Sequence, residues 1–315
     1  MSISRRNFLK YCGAASVALG LDPLQLGLLQ EALASPTGPS VLWLHGSSCT
    51  GCSVSLLNRI SDQTGEPATV TNVLADAINL IYHPTLMASA GETASAILQA
   101  AKTRGNFILV LEGGIPTAFN GACCIAYSLN GREVTHQEIV SELAPHASHI
   151  ICAGTCASFG GIPRAGENPT GVISASDLTG RPTINISGCP ANPDWVVWAI
   201  VQLLLGNPVT LDENGRPVDL YAKDLSGSSA PALVHDKCPR NGNSEATSFG
   251  SVGDQCLIQL GCRGPHTKAR CNSCWNGIAG SANWCIGVNA PCHGCTEPDF
   301  PGPEALYDVY RNGFS

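Results

Sequence analysis

The sequence predicts an α/β fold, a mostly parallel sheet that gives way to an irregular region held by something other than a core. Three observations predict it. Short apolar runs alternate with helical stretches from Val41 to about Gly206, the pattern of strands joined by right-handed helical crossovers. Beyond Gly206 the residues Gly, Pro, Cys and Asn dominate and periodicity disappears. The chain also carries 16 cysteines, eight of them in that irregular part, which points to disulfides, zinc or iron–sulfur clusters.

The elements follow in order. "VLWLH" (41–45) reads as a buried strand. "SVSLLNRI" (53–60) reads as a helix that Thr50 or Ser53 is placed to cap. "INLIY" (78–82) is a strand. "ETASAILQAAKTR" (92–104) puts Ala94, Ile97, Leu98 and Ala101 on one helical face. "FILVLEGG" (107–114) is a strand and turn, "THQEIVSELA" (135–144) a helix, and "HIICAG" (149–154) and "TINISG" (183–188) are strands. "PDWVVWAIVQLLL" (193–205) is a helix with Pro193 in its first turn. "DENGRP" (212–217) is a turn and "SGSSAP" (226–231) a boundary. These signals divide the chain into a leader (1–34), a sheet domain (35–225) and a C-terminal domain (226–315).

Ser4-Arg5-Arg6-Asn7-Phe8-Leu9-Lys10 is a twin-arginine pattern, followed by an apolar stretch and the A-x-A site Ala32-Leu33-Ala34. The alternative is a basic amphipathic helix belonging to the fold. The export reading predicts a periplasmic protein beginning at Ser35, and this pathway generally serves proteins that fold around a cofactor before export. The longest apolar run, Val196 to Leu205, is far short of the ~20 residues a membrane span needs. With no apolar tail before Ser315, no transmembrane segment is expected in the mature chain. A formal charge of −7, with 13% charged and 44% hydrophobic residues, excludes an electrostatic nucleic-acid binder and supplies enough apolar material for one large or two medium cores.

Four cysteines of the first domain share one kind of position. Cys49 and Cys52 follow strand 41–45, Cys156 follows strand 149–153 and Cys189 follows strand 183–187, each beside glycine. The carboxyl ends of parallel strands form one edge where ligands bind. Residues over a hundred positions apart therefore converge there, and four thiolates suit a four-iron cubane. A pair of disulfides or unrelated buried thiols is the competing account. In the second domain two four-ligand sets can be drawn: His235, Cys238, Cys256 and Cys262, and Cys271, Cys285, Cys292 and Cys295. Zinc accepts the same ligand types, so spacing alone leaves zinc and iron open.

The stretches "CTGCSVSLLN" (49–58), "HPTLMASAGE" (83–92), "EGGIPT" (112–117), "GTCASFGGIP" (154–163), "SGCPANPDW" (187–195), "LGCRGP" (260–265), "NWC" (283–285) and "CTEPDF" (295–300), with the leader, resemble the small, electron-transferring subunit of periplasmic nickel–iron hydrogenases along nearly the whole chain. The resemblance implies a flavodoxin-like domain followed by a domain organised by clusters. It implies a proximal 4Fe-4S cluster on Cys49, Cys52, Cys156 and Cys189, and a distal 4Fe-4S cluster on His235, Cys238, Cys256 and Cys262. A medial cluster falls on Cys271, Cys292 and Cys295 with or without a fourth ligand. The catalytic nickel–iron site belongs to a separate large subunit, so this chain contributes no catalytic residue and relays electrons to an external acceptor. That acceptor is a periplasmic cytochrome c or a membrane subunit.

Many members of that family have proline after the medial tryptophan and hold a 3Fe-4S cluster there. This chain has Cys285, which resembles the nickel–iron–selenium branch and predicts a medial 4Fe-4S cluster (3Fe-4S if Cys285 is not a ligand), with Cys274 as the competing fourth ligand. Oxygen-tolerant members carry two extra cysteines at the positions of Gly51 and Gly161, so a standard proximal cubane and oxygen sensitivity are expected. Cys152 is expected to be packing, and Cys123 and Cys124 take no role. Glu112 either helps hold the proximal region or the subunit interface, or is a solvated loop carboxylate.

Rival readings are an electron-input subunit of a quinone-reducing complex, a disulfide-stapled secreted binding protein and a zinc-stapled module. The leader and the full cysteine set argue against the first. Gel mobility with and without reductant tests the second, and metal analysis the third.

Overall fold

Val41 to Leu44 are buried and β-rich, and they form an inner strand of a five-stranded sheet in a computed structural model of the chain. The structure describes residues 40–59, 70, 78–221, 233–250, 253–272, 274–275, 278–279 and 284–302. The expected leader (1–34) and boundary (226–231) lie outside them.

The sheet strands are β1 (Ser40–His45), β2 (Asn79–Tyr82), β3 (Phe107–Glu112), β4 (Ala147–Ala153) and β5 (Ile184–Ile186). All neighbours pair in parallel and the spatial order is β2-β1-β3-β4-β5. This is the flavodoxin-like winding, in which the strand order reverses between β1 and β3 and leaves a crevice at their carboxyl ends. The main helices are α1 (Gly51–Leu57), α2 (Gly91–Arg104), α3 (His136–Leu143), α4 (Thr155–Phe159) and α5 (Pro193–Leu204).

Alternate residues of the strands feed two cores. Leu42, Leu44, Leu109, Leu111, Ile150 and Cys152 pack under α2 and α3. Val41, Trp43, Ile108, Val110, Ile151 and Ala153 face the other way, toward α1 and α5. The α2 face forms as its periodicity predicts, with Ala94, Leu98 and Ala101 buried and Ile97 at the margin. Cys152 is fully buried in the strand, as a packing residue should be.

α1 begins two residues before its expected start, and Thr50 does not cap it by its side chain. Thr50 takes a left-handed conformation, φ 64, and makes no side-chain capping bond. Ser53 is already inside the helix and donates its hydroxyl to Glu112. The N-terminal cap of α1 comes from a different strand, as described below. α5 is capped conventionally: Asn192 accepts the Asp194 N–H at 3.0 Å, with Pro193 in the first turn.

The region after Gly206 is irregular as predicted. It contains short 3-10 turns at Ile258–Leu260 and Gly264–His266 and a two-residue pairing of Cys274–Trp275 with Ile278–Ala279. Its apolar residues do not make a core of their own. Val234, Ala246, Leu257, Leu260, Trp284 and Ile286 join the core that α5 and the sheet already form. A segment this poor in backbone pairing needs that shared core and a further staple.

A buried ion pair ties α1 to α5: Arg59 Nε donates to Asp194 Oδ1 at 2.6 Å, and both side chains are almost wholly enclosed. Asp194→Ala leaves a buried guanidinium without that carboxylate and should destabilise the protein by about 3–5 kcal/mol. A thermal unfolding scan of the purified complex checks this, and Arg59→Met combined with Asp194→Ala should recover part of the loss.

Candidate metal centres

The proximal set is built by the carboxyl edge of the sheet. Cys49 and Cys52 lie on the turn into α1 after β1, Cys156 opens α4 after β4, and Cys189 follows β5. The structure brings all four together: Cys156 as a thiolate feels Cys189 and Cys49, Cys52 feels Cys156 and Cys189, and Cys189 feels Cys49. The backbone around them is tight. Gly154 has φ +92, and a Cβ there would stand 2.4 Å from Cys52 Sγ. Gly161 has φ +52, and a Cβ there would be 3.1 Å from Cys156 Sγ. No pair of these cysteines is disulfide-bonded.

Glu112 at the end of β3 is 2% exposed, which corrects the solvated-carboxylate alternative. Its Oε1 accepts the N–H of Cys52 at 3.0 Å and of Ser53 at 3.3 Å. It therefore caps the first turn of α1 from sixty residues away, in place of Thr50. Its Oε2 accepts Trp43 Nε1–H at 2.9 Å and the Ser53 hydroxyl, and lies 3.1 Å from His45 Nε2. Burial alone would raise its pKa, but the hydrogen bonds from His45, Ser53 and Trp43 prevail and hold it at about 2, so the group is ionised at any ordinary pH. His83 stacks against Trp43 and shares the Ser53 hydroxyl at 3.1 Å; burial and His45 bring it down to about 4, so it is neutral.

The medial set forms the wall of a cavity of about 630 Å³ lined by Cys271, Cys285, Cys292 and Cys295 together with Trp275 and Trp284, and also by Cys189 of the proximal set. Burial, then the charges of Cys295, Cys292 and Cys285, push the Cys271 thiol well up. Cys285 lines the same cavity, with its side chain exposed along the wall. The backbone of Cys274 lies in the small hairpin, while its side chain, that of the competing fourth ligand, is outside the described residues.

The distal set closes a small pocket: His235, Cys238, Cys256 and Cys262 line it with Arg240, Leu257 and Ile286. His235, Cys238 and Cys256 are half-buried and Cys262 is buried. Backbone N–H groups serve the sulfurs: Arg240 N–H donates to Cys238 Sγ at 3.4 Å, and Ala191 N–H does the same for Cys52 at 3.4 Å. Cys123 and Cys124 follow the 3-10 turn Ala118–Gly121, where Cys123 Sγ donates to the Ala118 carbonyl at 3.8 Å.

The donors fit an iron–sulfur group. Ligating thiols must lose their protons, yet burial and then mutual repulsion push Cys156 up to about 12. A metal core carrying several positive charges relieves both effects at once. Among the described residues no three His, Cys, Asp or Glu side chains close on one point as a single metal ion requires. Zinc would need its ligands at about 2.3 Å from a common centre, whereas a polynuclear cluster puts its own atoms between them.

Three comparisons bear on the chain. The family model described as "NADH ubiquinone oxidoreductase, 20 Kd subunit" matches residues 49–203, and the model for the C-terminal part of the NiFe/NiFeSe hydrogenase small subunit matches 231–308. The chain is 38% identical to the periplasmic NiFe hydrogenase small subunit of Solidesulfovibrio fructosivorans, over 95% of this chain and 90% of that one. It is also 38% identical to the periplasmic NiFeSe hydrogenase small subunit of Desulfomicrobium baculatum, over 98% and 99%. The solved NiFeSe hydrogenase of Desulfovibrio vulgaris Hildenborough superposes with a TM-score of 0.75 at 34% identity, covering 88% of this chain and 99% of that one.

Glu112→Gln would set an amide NH2 either against the N–H groups of Cys52 and Ser53 or against Trp43 Nε1–H. A loss of about 1–3 kcal/mol in stability is expected, with iron lost preferentially at the proximal set. Thermal unfolding and iron analysis of the purified complex check it.

Proposed function

The chain belongs to the family of nickel–iron hydrogenase small subunits, and from that premise we propose that it carries electrons between the large subunit's metal site and an external acceptor. As a hydrogenase small subunit it pairs with a large subunit that holds the catalytic centre. The observation that carries the relay reading is the grouping of the candidate ligands into three neighbouring sets, with Cys189 on the edge of the medial cavity and the Cys292 N–H donating to Cys262 Sγ at 3.4 Å.

In this reading Cys49, Cys52, Cys156 and Cys189 hold the proximal cluster. Cys271, Cys285, Cys292 and Cys295 hold the medial one, and His235, Cys238, Cys256 and Cys262 hold the distal one. The clusters, when bound, supply one-electron redox chemistry. The chain's own residues do the rest. Gly154 and Gly161 let the backbone close on the sulfurs, and backbone N–H groups stabilise the thiolates. Trp275 and Trp284 line the medial cavity with apolar surface. His235, neutral where a thiolate is charged, suits the half-buried end.

The leader pattern and the periplasmic relatives support export to the periplasm, with a cytochrome c or a membrane subunit as acceptor. No helix among the described residues is long and apolar enough to cross a membrane. Gly51 and Gly161 in place of additional cysteines support a standard proximal cubane and oxygen sensitivity.

Low-temperature electron paramagnetic resonance of the anaerobically purified complex tests this. The oxidised protein should lack a three-iron signal and the reduced protein should show coupled, fast-relaxing clusters. Cys285→Pro should introduce the three-iron signal and raise the medial potential. Absence of any cluster signal from complex that retains its nickel would sink the relay reading.

A further inference from the structure

One turn, from Cys262 to Thr267, holds Cys292 at three atoms. The Cys292 N–H donates to Cys262 Sγ at 3.4 Å, and its carbonyl accepts the Arg263 N–H at 2.7 Å. Its sulfur lies 3.5 Å from Thr267 Oγ1, which accepts the thiol proton while Cys292 carries one. Cys52, Cys238 and Cys262 receive their sulfur hydrogen bonds from the backbone N–H groups of Ala191, Arg240 and Cys292, whose directions the chain fixes. At Cys292 the neighbour is a side-chain hydroxyl, whose proton can turn about the Cβ–Oγ1 bond.

Thr267 is fixed in place without help from that hydroxyl. Its N–H donates to the Gly264 carbonyl at 3.3 Å, its carbonyl accepts the Val234 N–H at 2.9 Å, and its side chain is 1% exposed on the wall of the medial cavity. The hydroxyl donates to the Arg263 carbonyl at 2.6 Å. That carbonyl also accepts the His266 N–H at 3.0 Å. The proton of Thr267 can therefore leave it without stranding a buried acceptor. A ligating Cys292 has lost its own proton. With the hydroxyl still aimed at Arg263, an oxygen lone pair would face a negative sulfur. Rotation of one bond replaces that repulsion with a charge-assisted hydrogen bond.

We propose that Thr267 raises the reduction potential of the medial site, its hydroxyl turning from the Arg263 carbonyl to Cys292 Sγ when that sulfur is a ligand. This rests on the relay reading above. Reduction adds negative charge to the ligand sulfurs, and a donor aimed at one of them stabilises the reduced form more than the oxidised form. Thr267 acts through Cys292 and is a positioning residue. Its proton stays on Oγ1 throughout, and no bond of the chain is made or broken. The electron originates in hydrogen oxidised on the large subunit and passes to an external one-electron acceptor.

The test uses the complete two-subunit enzyme carrying Thr267→Val or Thr267→Ser. A redox titration followed by low-temperature electron paramagnetic resonance reads the potential of each site, and iron analysis reads its occupancy. Thr267→Val keeps the shape of the side chain and removes only the hydroxyl. It should retain iron and lower the reduced-to-oxidised ratio of the medial site about fivefold at a fixed potential, a fall of ~40 mV for one electron. The proximal and distal potentials should stay where they are, and Thr267→Ser should keep the medial potential of the unaltered enzyme. A medial potential unmoved or raised in Thr267→Val overturns the proposal, and so does a shift confined to the distal site. Equal loss of iron from both variants overturns it as well, since Thr267 would then serve folding only. In those cases the clusters of the unaltered enzyme still support the relay reading; their absence overturns that reading, and this one with it.

Discussion

Buried thiols that repel one another set the constraint that the rest of the structure answers. Cys156, Cys271, Cys292 and Cys295 are driven toward their protonated forms, first by burial and then by neighbouring sulfurs, and Cys52 first by burial and then by Glu112. Backbone amides oppose this at Cys52 and Cys295, and the Thr267 hydroxyl opposes it at Cys292. Glu112 works against the Cys52 thiolate, because its negative charge lies close by. The structure keeps it nonetheless because it caps α1, and it surrounds it with donors from Trp43, Ser48, Ser53 and His45. Local charge is thus given up for the shape of the Cys49–Cys52 turn, and a metal core restores the balance.

The C-terminal region answers a second shortage, that of secondary structure. Its apolar residues merge with the core of the sheet domain. Its polar groups reach back through Thr155, Ser187, Arg216 and Tyr221 to the strand ends. Arg216 lies over the Tyr221 ring at 5.3 Å and is paired with Asp212 and Glu297, which makes a buried charge acceptable there. The two halves are therefore one body around the ligand sets.

Much of this was legible in the residues. Cysteines placed just after apolar runs, each with glycine, announced a shared strand edge before any geometry was known. The irregular texture after Gly206 announced a region in need of staples. What could not be read was long-range hydrogen bonding. Glu112 carries no local sign that it caps a helix sixty residues earlier, and Thr50 looks like a cap because Thr is a common one. Thr155 sits beside a candidate ligand, yet its hydroxyl serves a carbonyl 140 residues away. Such pairs depend on how loops meet after the sheet has formed, and a single sequence holds no periodicity that reports it. Cys285 sits alone in its stretch, outside any Cys-x2-Cys step, and it lines the same cavity as Cys271, Cys292 and Cys295.

The bond from the Thr155 hydroxyl to the Cys295 carbonyl also sets a clock on assembly. A chain leaving the ribosome completes the residues of the proposed proximal set at Cys189, those of the proposed distal set at Cys262, and those of the proposed medial set only at Cys295. The two ends of the route can therefore be finished while its centre is still missing. In the proposed relay, the set that joins the other two is thus the last of the three to be complete.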